Sequence, residues 1–190
     1  LPHVLRRRLI DYSQAMLPIV LEYSDHRHEL HSRKTMHKPL DFCHLHTHTE
    51  FSILDGIIKI PELCKQVKKN GMSACAITDH GVLFGVIDFY KEAKKTGINP
   101  LIGVEAYITD DEDGIENNKD KTRDNNHCIM LAQNETGLRN LFWLTNMANQ
   151  HNFYYRPRIS VEHLRQGRAE GIIATSSCLG GVVSKHGKYC

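Results

Sequence analysis

The amino-acid sequence predicts an α/β fold organised around a parallel sheet or barrel. Apolar runs of strand length alternate with segments of helical periodicity from residue 40 onward. Glycine and proline mark the changes between them, and His, Asp, Glu or Cys recurs at the ends of the apolar runs. In folds of this kind the chemistry gathers at the C-terminal ends of the strands.

The first strand is expected over 41–48. A helix over 61–70 follows, with Pro61 suited to its first turn and Gly71 to its stop. Residues 73–78 make a short buried strand, and 84–96 a helix with Phe84, Ile87, Tyr90 and Ala93 spaced for one face, closed by Gly97. The next strand spans 100–108. The stretch 110–126 is rich in Asp, Asn and Lys; it lacks calcium-loop spacing and reads as a solvated surface loop. A strand over 127–132 leads to a helix over 135–149 carrying Leu138, Leu141, Phe142 and Leu144. A short helix over 161–166 and a strand over 171–176 complete the pattern, and no internal repeat is present.

Residues 1–35 differ from the rest and form an N-terminal extension, helical or disordered. Leu5, Leu9, Ile10, Leu17, Val20 and Leu21 can line one side of a helix that Pro18 interrupts. His26, His28 and His31 follow in a polar stretch that reads as a solvated tail, since no strand frames them. Residues 36–190 form the domain proper, with Met36 a natural start; the chain opens on Leu1, as a fragment or processed product does.

Composition narrows the class. Of the 190 residues, 41% are hydrophobic, enough for one core, and the net charge of +2 does not advertise nucleic acid. No apolar run reaches membrane-spanning length, and Arg6-Arg7-Arg8 with Asp11 and Glu22 breaks any secretory signal. The six cysteines include no CxxC pair, which suits reduced thiols in a cytoplasmic protein.

The 13 histidines matter for where they sit. In His44-Leu45-His46-Thr47-His48, strand alternation points His46 and His48 at one cation, with His44 on the same face one step earlier. Three alternating imidazoles are costly as core filler, because each ring needs a polar partner. Asp55 follows in the turn Ile53-Leu54-Asp55-Gly56, and a carboxylate near two imidazoles suits zinc, manganese or iron. After the buried strand comes Thr78-Asp79-His80-Gly81, where either Asp79 or His80 can ligate, or Asp79 can fix the tautomer of a ligand histidine. Glu105 stands inside an apolar strand, His127 opens one, and Cys178 closes one. Each placement has a bland explanation taken singly; their repetition along successive strands does not.

Several of these segments together carry a family resemblance. The run Leu45-His46-Thr47-His48-Thr49-Glu50-Phe51-Ser52-Ile53-Leu54-Asp55-Gly56 resembles the opening motif of the PHP (polymerase and histidinol phosphatase) family, in the branch found in bacterial DNA polymerase III alpha subunits. Ile77-Thr78-Asp79-His80-Gly81, Phe89-Tyr90-Lys91-Glu92-Ala93, Pro100-Leu101-Ile102-Gly103-Val104-Glu105, Phe153-Tyr154-Tyr155-Arg156-Pro157-Arg158-Ile159 and Ser177-Cys178-Leu179-Gly180-Gly181 resemble later motifs, in the family's order. The match spans about residues 40–185.

The resemblance implies a distorted β/α barrel holding a cluster of up to three divalent metals, zinc or manganese, on His46, His48, Asp55, His80, Glu105, His127 and Cys178. It implies metal-dependent phosphodiester hydrolysis, as a 3′-5′ exonuclease acting on a DNA primer end. The rest of the polymerase alpha subunit and other replisome subunits are the implied partners. Arg158 is a candidate phosphate ligand, or a surface arginine. The family's last motif, an Asp-x-His pair, lies beyond the glycine-glycine turn and is not reached by Cys190, so the barrel is expected to be truncated before its last strands. Residues 1–35 match none of the family's motifs. Two rival readings remain: a metal-stabilised scaffold without catalysis, and a free-standing small-molecule phosphatase.

Overall fold

The computed structural model describes residues 42–109, 126–181 and 183–184. The extension expected over 1–35, its histidines, and all of the polar loop except Asn126 lie outside the described residues. Within them the elements run α1 (Ile60–Lys69), β1 (Ala74–Ile77), α2 (Val86–Thr96), β2 (Asn99–Thr109), β3 (Asn126–Ala132), α3 (Glu135–Gln150), β4 (Phe153–Tyr154), β5 (Arg156–Ser160), α4 (Val161–His163) and β6 (Ile172–Thr175). The chain is α/β, as its alternation predicts.

The strands form one sheet in the order β4-β5-β2-β3-β6, with β1 beside β2. β2 pairs in parallel with β1 and β5, but antiparallel with β3, and β3 is antiparallel to β6. The expected parallel sheet is therefore mixed. A parallel partner needs a crossover that carries the chain back, usually a helix with an apolar face. The polar segment between β2 and β3 has no such face, so the two strands pair as direct neighbours.

Strand alternation sorts the residues of β2 between two faces. Ile102, Val104, Ala106 and Ile108 enter the main core with the helices. Leu101 packs with Ala76, Ile129 and Leu131 in a second, smaller cluster, and Glu105 and Tyr107 share that inner face by the same period. The helices cover the opposite face through stripes at three- and four-residue spacing: Ile60, Leu63, Cys64 and Val67 from α1, Val86, Phe89, Tyr90 and Ala93 from α2, and Leu138, Leu141, Leu144 and Ala148 from α3. Phe89, Leu138 and Leu141 are wholly excluded from solvent.

Helix ends follow local chemistry. Pro61 occupies the first turn of α1. α2 stops at Gly97, whose φ of 71° places it in the left-handed region where a side chain is penalised. The Asn134 side chain accepts from Gly137 N and caps α3. Two expectations shift. The second helix starts at Val86 rather than residue 84, so Phe84 is 49% exposed and Phe89 takes the core position. The helix expected over 161–166 is a single turn that widens over Leu164–Arg168, where Gly167 leaves helical geometry. The pairs β4 and β5, missed as strands in the sequence, make a hairpin with Tyr155 at its tip.

Candidate metal centre

The site forms where one edge of the sheet meets the segment 42–58. That segment was expected to begin with a regular strand. It instead runs beside β1 with isolated bonds, Ala76 N to His44 O at 2.8 Å and Thr78 N to Thr47 O at 2.8 Å. The ladder breaks because Thr47 N donates to the Thr78 hydroxyl at 2.9 Å instead of to a backbone carbonyl. Alternation along it still holds for His46 and His48, which both reach Glu105. His44 does not join them. It bridges to Cys75 near the start of β1, two residues or roughly 7 Å short of the site, and sets its ring edge-on to Phe42.

Glu105 is the hub. Its side chain is 1% exposed, and its Oε2 lies 3.0 Å from His46 Nε2, 2.6 Å from His48 Nε2 and 3.2 Å from His80 Nδ1. Its Oε1 lies 2.9 Å from His127 Nδ1 and accepts from the Ser177 hydroxyl at 2.5 Å. Asp55 stands at the rim, half exposed, with Oδ2 2.9 Å from His80 Nε2 and 3.5 Å from His48 Nδ1. The strand directions explain why these residues meet. β1, β2 and β6 bring their C-terminal parts to this edge, and β3, being antiparallel to β2, brings its start, so His127 opens its strand where the others close theirs.

Burial alone would raise the Glu105 pKa, but hydrogen bonds from His48, Ser177 and His46 outweigh it and hold the carboxyl far below its ordinary range. The bond to Glu105 raises His48. Desolvation lowers His80 despite its bond to Asp55, which favours a neutral ring. For Asp55, burial pushes up, but the bonds and charges of His80 and His48 together outweigh it and lower its pKa, so it stays ionised.

The arrangement fits divalent cations. Three groups bring their donor atoms within 4.8 Å of one another: His46, His48 and Glu105; His48, Asp55 and His80; and His80, Glu105 and His127. His80 Nε2 bonds Asp55, while its Nδ1 is buried, faces Glu105 Oε2 and has no hydrogen-bond partner. His46 Nε2 and His48 Nε2 also face each other at 3.1 Å beside the same carboxylate. Lone pairs converging on an anion repel one another unless protons or cations lie between them. Imidazole nitrogens and carboxylate oxygens suit zinc and manganese alike.

Six of the seven expected ligands thus share one cluster. The seventh, Cys178, is exposed, with Sγ 3.5 Å from His127 Nδ1 and 3.8 Å from Glu105 Oε1. It sits at the margin and in none of the three groups. Asp79 belongs to none of the three groups and bonds no histidine. It accepts from Thr49 N at 2.6 Å, from the Thr49 hydroxyl at 2.8 Å and from the Ser52 hydroxyl at 2.8 Å, tying down the turn that leads to Asp55. The Ser52 hydroxyl in turn accepts from His80 N at 3.1 Å. Arg158 is no surface arginine: it is 2% exposed, with its guanidinium 5.5 Å from the centre of the Tyr154 ring.

Ser177 and Tyr107 were missed as site residues. Tyr107 stacks on His80 at 5.8 Å and meets His127 edge-on at 5.0 Å. Its position two residues after Glu105 was the available signal, since i and i+2 share a strand face. Ser177, adjacent to Cys178, carried no comparable signal. An open groove of about 470 Å³ beside the cluster is lined by His44, His46, His48, Asp55, Ile57 and Leu63 among others.

Comparison with known proteins adds an independent observation. Residues 44–188 match the model of the PHP domain. Over 144 residues the chain is 46% identical to the DNA polymerase III subunit alpha of Borreliella burgdorferi, covering 76% of this chain and 12% of that protein. It is 48% identical over 145 residues to the same subunit of Helicobacter pylori strain J99, with the same coverages. The chain therefore spans about one-eighth of the length of these relatives. Among solved structures, a candidate metal-dependent phosphoesterase of Bifidobacterium adolescentis aligns with a TM-score of 0.42 at 22% identity, over 59% of this chain and 34% of that one. No helix among the described residues is long and apolar enough to cross a membrane.

Proposed function

The chain belongs to the PHP domain family, and from that premise we propose that it is the metal-dependent phosphoesterase module of a bacterial replicative DNA polymerase, hydrolysing phosphodiesters at a DNA 3′ end. The observation that carries this reading is the sharing of donors. His48, His80 and Glu105 each belong to two of the three overlapping groups, so these residues would hold more than one cation within one cluster. Paired cations about 3.5–4 Å apart recur in enzymes that cleave phosphoesters.

His46, His48, Asp55, His80, Glu105 and His127 hold the cations in this reading, with Cys178 completing the margin beside His127. When bound, divalent cations supply Lewis-acid polarisation of a phosphoryl oxygen and a lowered pKa for an attacking water. The protein's own residues prepare that setting. Glu105 stays ionised in the inner wall and neutralises cationic charge. The Ser177 hydroxyl fixes Glu105 Oε1, and Tyr107 fixes the planes of His80 and His127 by ring contact. Asp79 keeps Thr49 and Ser52 in place, which sets where Asp55 stands. Asp55, half exposed, stands at the solvent side of the cluster.

The test is metal content and 3′-exonuclease activity measured together on the chain and on a His46→Ala, His48→Ala variant. The expected result is about two or three metals per chain with trimming of a primer, both lost in the variant. A chain that binds metal with no trimming supports the scaffold reading instead. Preference for a small phosphate monoester over a primer end supports the phosphatase reading.

A further inference from the structure

The hairpin of β4 and β5 has features that the metal centre does not use. Two of its three aromatic residues face water: Phe153 is 58% exposed and Tyr155, at the tip, 63%. Tyr155 holds a φ of 57°, in the left-handed region that a bulky side chain rarely adopts. Such strain persists where surrounding structure enforces it, and it clusters at binding sites. Tyr154 sets its ring edge-on to Tyr155 at 4.6 Å and carries the Arg158 guanidinium on its face. The three aromatics at 153–155 are followed by Arg156 and Arg158, and the hairpin pairing sets Tyr154 opposite Arg156, so rings and guanidinium groups lie side by side.

The hairpin abuts the metal centre at two points. Arg156 donates to the Tyr107 hydroxyl at 3.0 Å and lies 5.3 Å from the centre of that ring, the same ring that touches His80 and His127. Pro157 packs on Gly81, the residue after His80. A side chain at Gly81 would bring its Cβ within 2.4 Å of the Pro157 ring, so only glycine, here at φ 64°, allows the approach. Among the described residues, Tyr107 is the one hydrogen-bond partner of the Arg156 guanidinium, whose remaining N–H groups suit a phosphate.

We propose that the 153–157 hairpin is a stacking platform for the unpaired bases at the 3′ end of a single-stranded DNA, with Arg156 on a backbone phosphate next to the metal centre. Exposed rings set beside arginines bind single strands through base stacking and phosphate contact, without reading sequence. The platform names the substrate of the phosphoesterase proposed above and rests on that reading. It also assigns the phosphate contact to Arg156 rather than to the buried Arg158.

The test uses the 190-residue chain and three variants: Phe153→Ala, Tyr155→Gly and Tyr155→Phe. Glycine suits the left-handed backbone at the tip, so Tyr155→Gly removes the ring without adding strain; melting curves verify folding. A labelled oligothymidylate of about ten nucleotides is titrated by fluorescence anisotropy, metal-free and with manganese. Its hydrolysis is compared with that of bis(4-nitrophenyl) phosphate, which has no base to stack. Loss of one stacked ring is expected to weaken oligonucleotide binding about tenfold in Phe153→Ala and Tyr155→Gly. Tyr155→Phe should recover most of it, and the oligonucleotide-to-diester rate ratio should fall in parallel with the weaker binding. Unchanged dissociation constants, or equal losses on both substrates, overturn the platform and favour a protein partner for this hairpin. If the wild type hydrolyses neither substrate, the phosphoesterase reading fails, and the metal-free titration alone decides the platform.

Discussion

Replacing Glu105 by Gln tests the centre at its hub. The substitution keeps the volume of a side chain that is 1% exposed, so no cavity opens, and it removes the charge that His46, His48, His80, His127 and Ser177 converge upon. Glu105 belongs to two of the three donor groups. Changing a residue that only orients a ligand weakens metal binding about 10–100-fold, so loss of a shared charged ligand should cost at least about 100-fold. At a metal concentration about 100 times the dissociation constant, binding stabilises the native state by about 2.7 kcal/mol; a 100-fold weaker site leaves about 0.4 kcal/mol. For a domain of this size 1 kcal/mol moves the Tm by about 2–4 °C, so metal should raise the wild-type Tm by about 5–11 °C and that of Glu105→Gln by about 1–2 °C. Thermal melts with and without manganese or zinc, alongside elemental analysis of the dialysed protein, read this directly. A Glu105→Gln protein with a wild-type metal-dependent rise refutes the idea that this carboxylate holds the cations.

Asp79→Ala separates a structural carboxylate from the ligands. It leaves the Thr49 N–H and the Thr49 and Ser52 O–H groups without an acceptor in a buried turn, and each such donor costs about 1–3 kcal/mol. Urea unfolding of the metal-free protein should show a loss of at least about 2 kcal/mol; a loss below about 0.5 kcal/mol would mean water replaces those bonds. The thiols give a second check. Burial pushes Cys75 up to about 12 and Cys64 up to about 11 from an ordinary 9.0, so at pH 8 iodoacetamide should spare both and modify the exposed Cys178. Since both folded values are raised, their contribution to stability is intact below pH 9.0 and falls as pH climbs toward 11 and 12. Peptide mapping by mass spectrometry reads the labelling, and rapid native modification of Cys75 would contradict the packing around β1.

Periodicity made the frame and most of the centre legible, because strand alternation and strand ends are local properties. His46 and His48 share a face as their spacing requires, and Glu105 is buried among donors as an acid inside an apolar strand must be. What stayed hidden depends on pairing between distant strands. Whether His127 or His44 joins the cluster cannot be settled by the distance of either from an apolar run. It turns on β3 lying antiparallel to β2, which swings the start of β3 to the active edge, and on the segment at 44 lying beside the opposite end of β1. Asp79 and His80 were equal candidates one residue apart; the turn at 49–52 claims both Asp79 oxygens, while His80 faces Asp55 and Glu105. The consequence reaches the chemistry. Because Asp79 holds Ser52, and Ser52 holds the backbone of His80, the turn that carries Asp55 and the strand end that carries His80 move as one unit. The rim carboxylate and the inner donor groups are thereby kept in register although 25 residues separate Asp55 from His80.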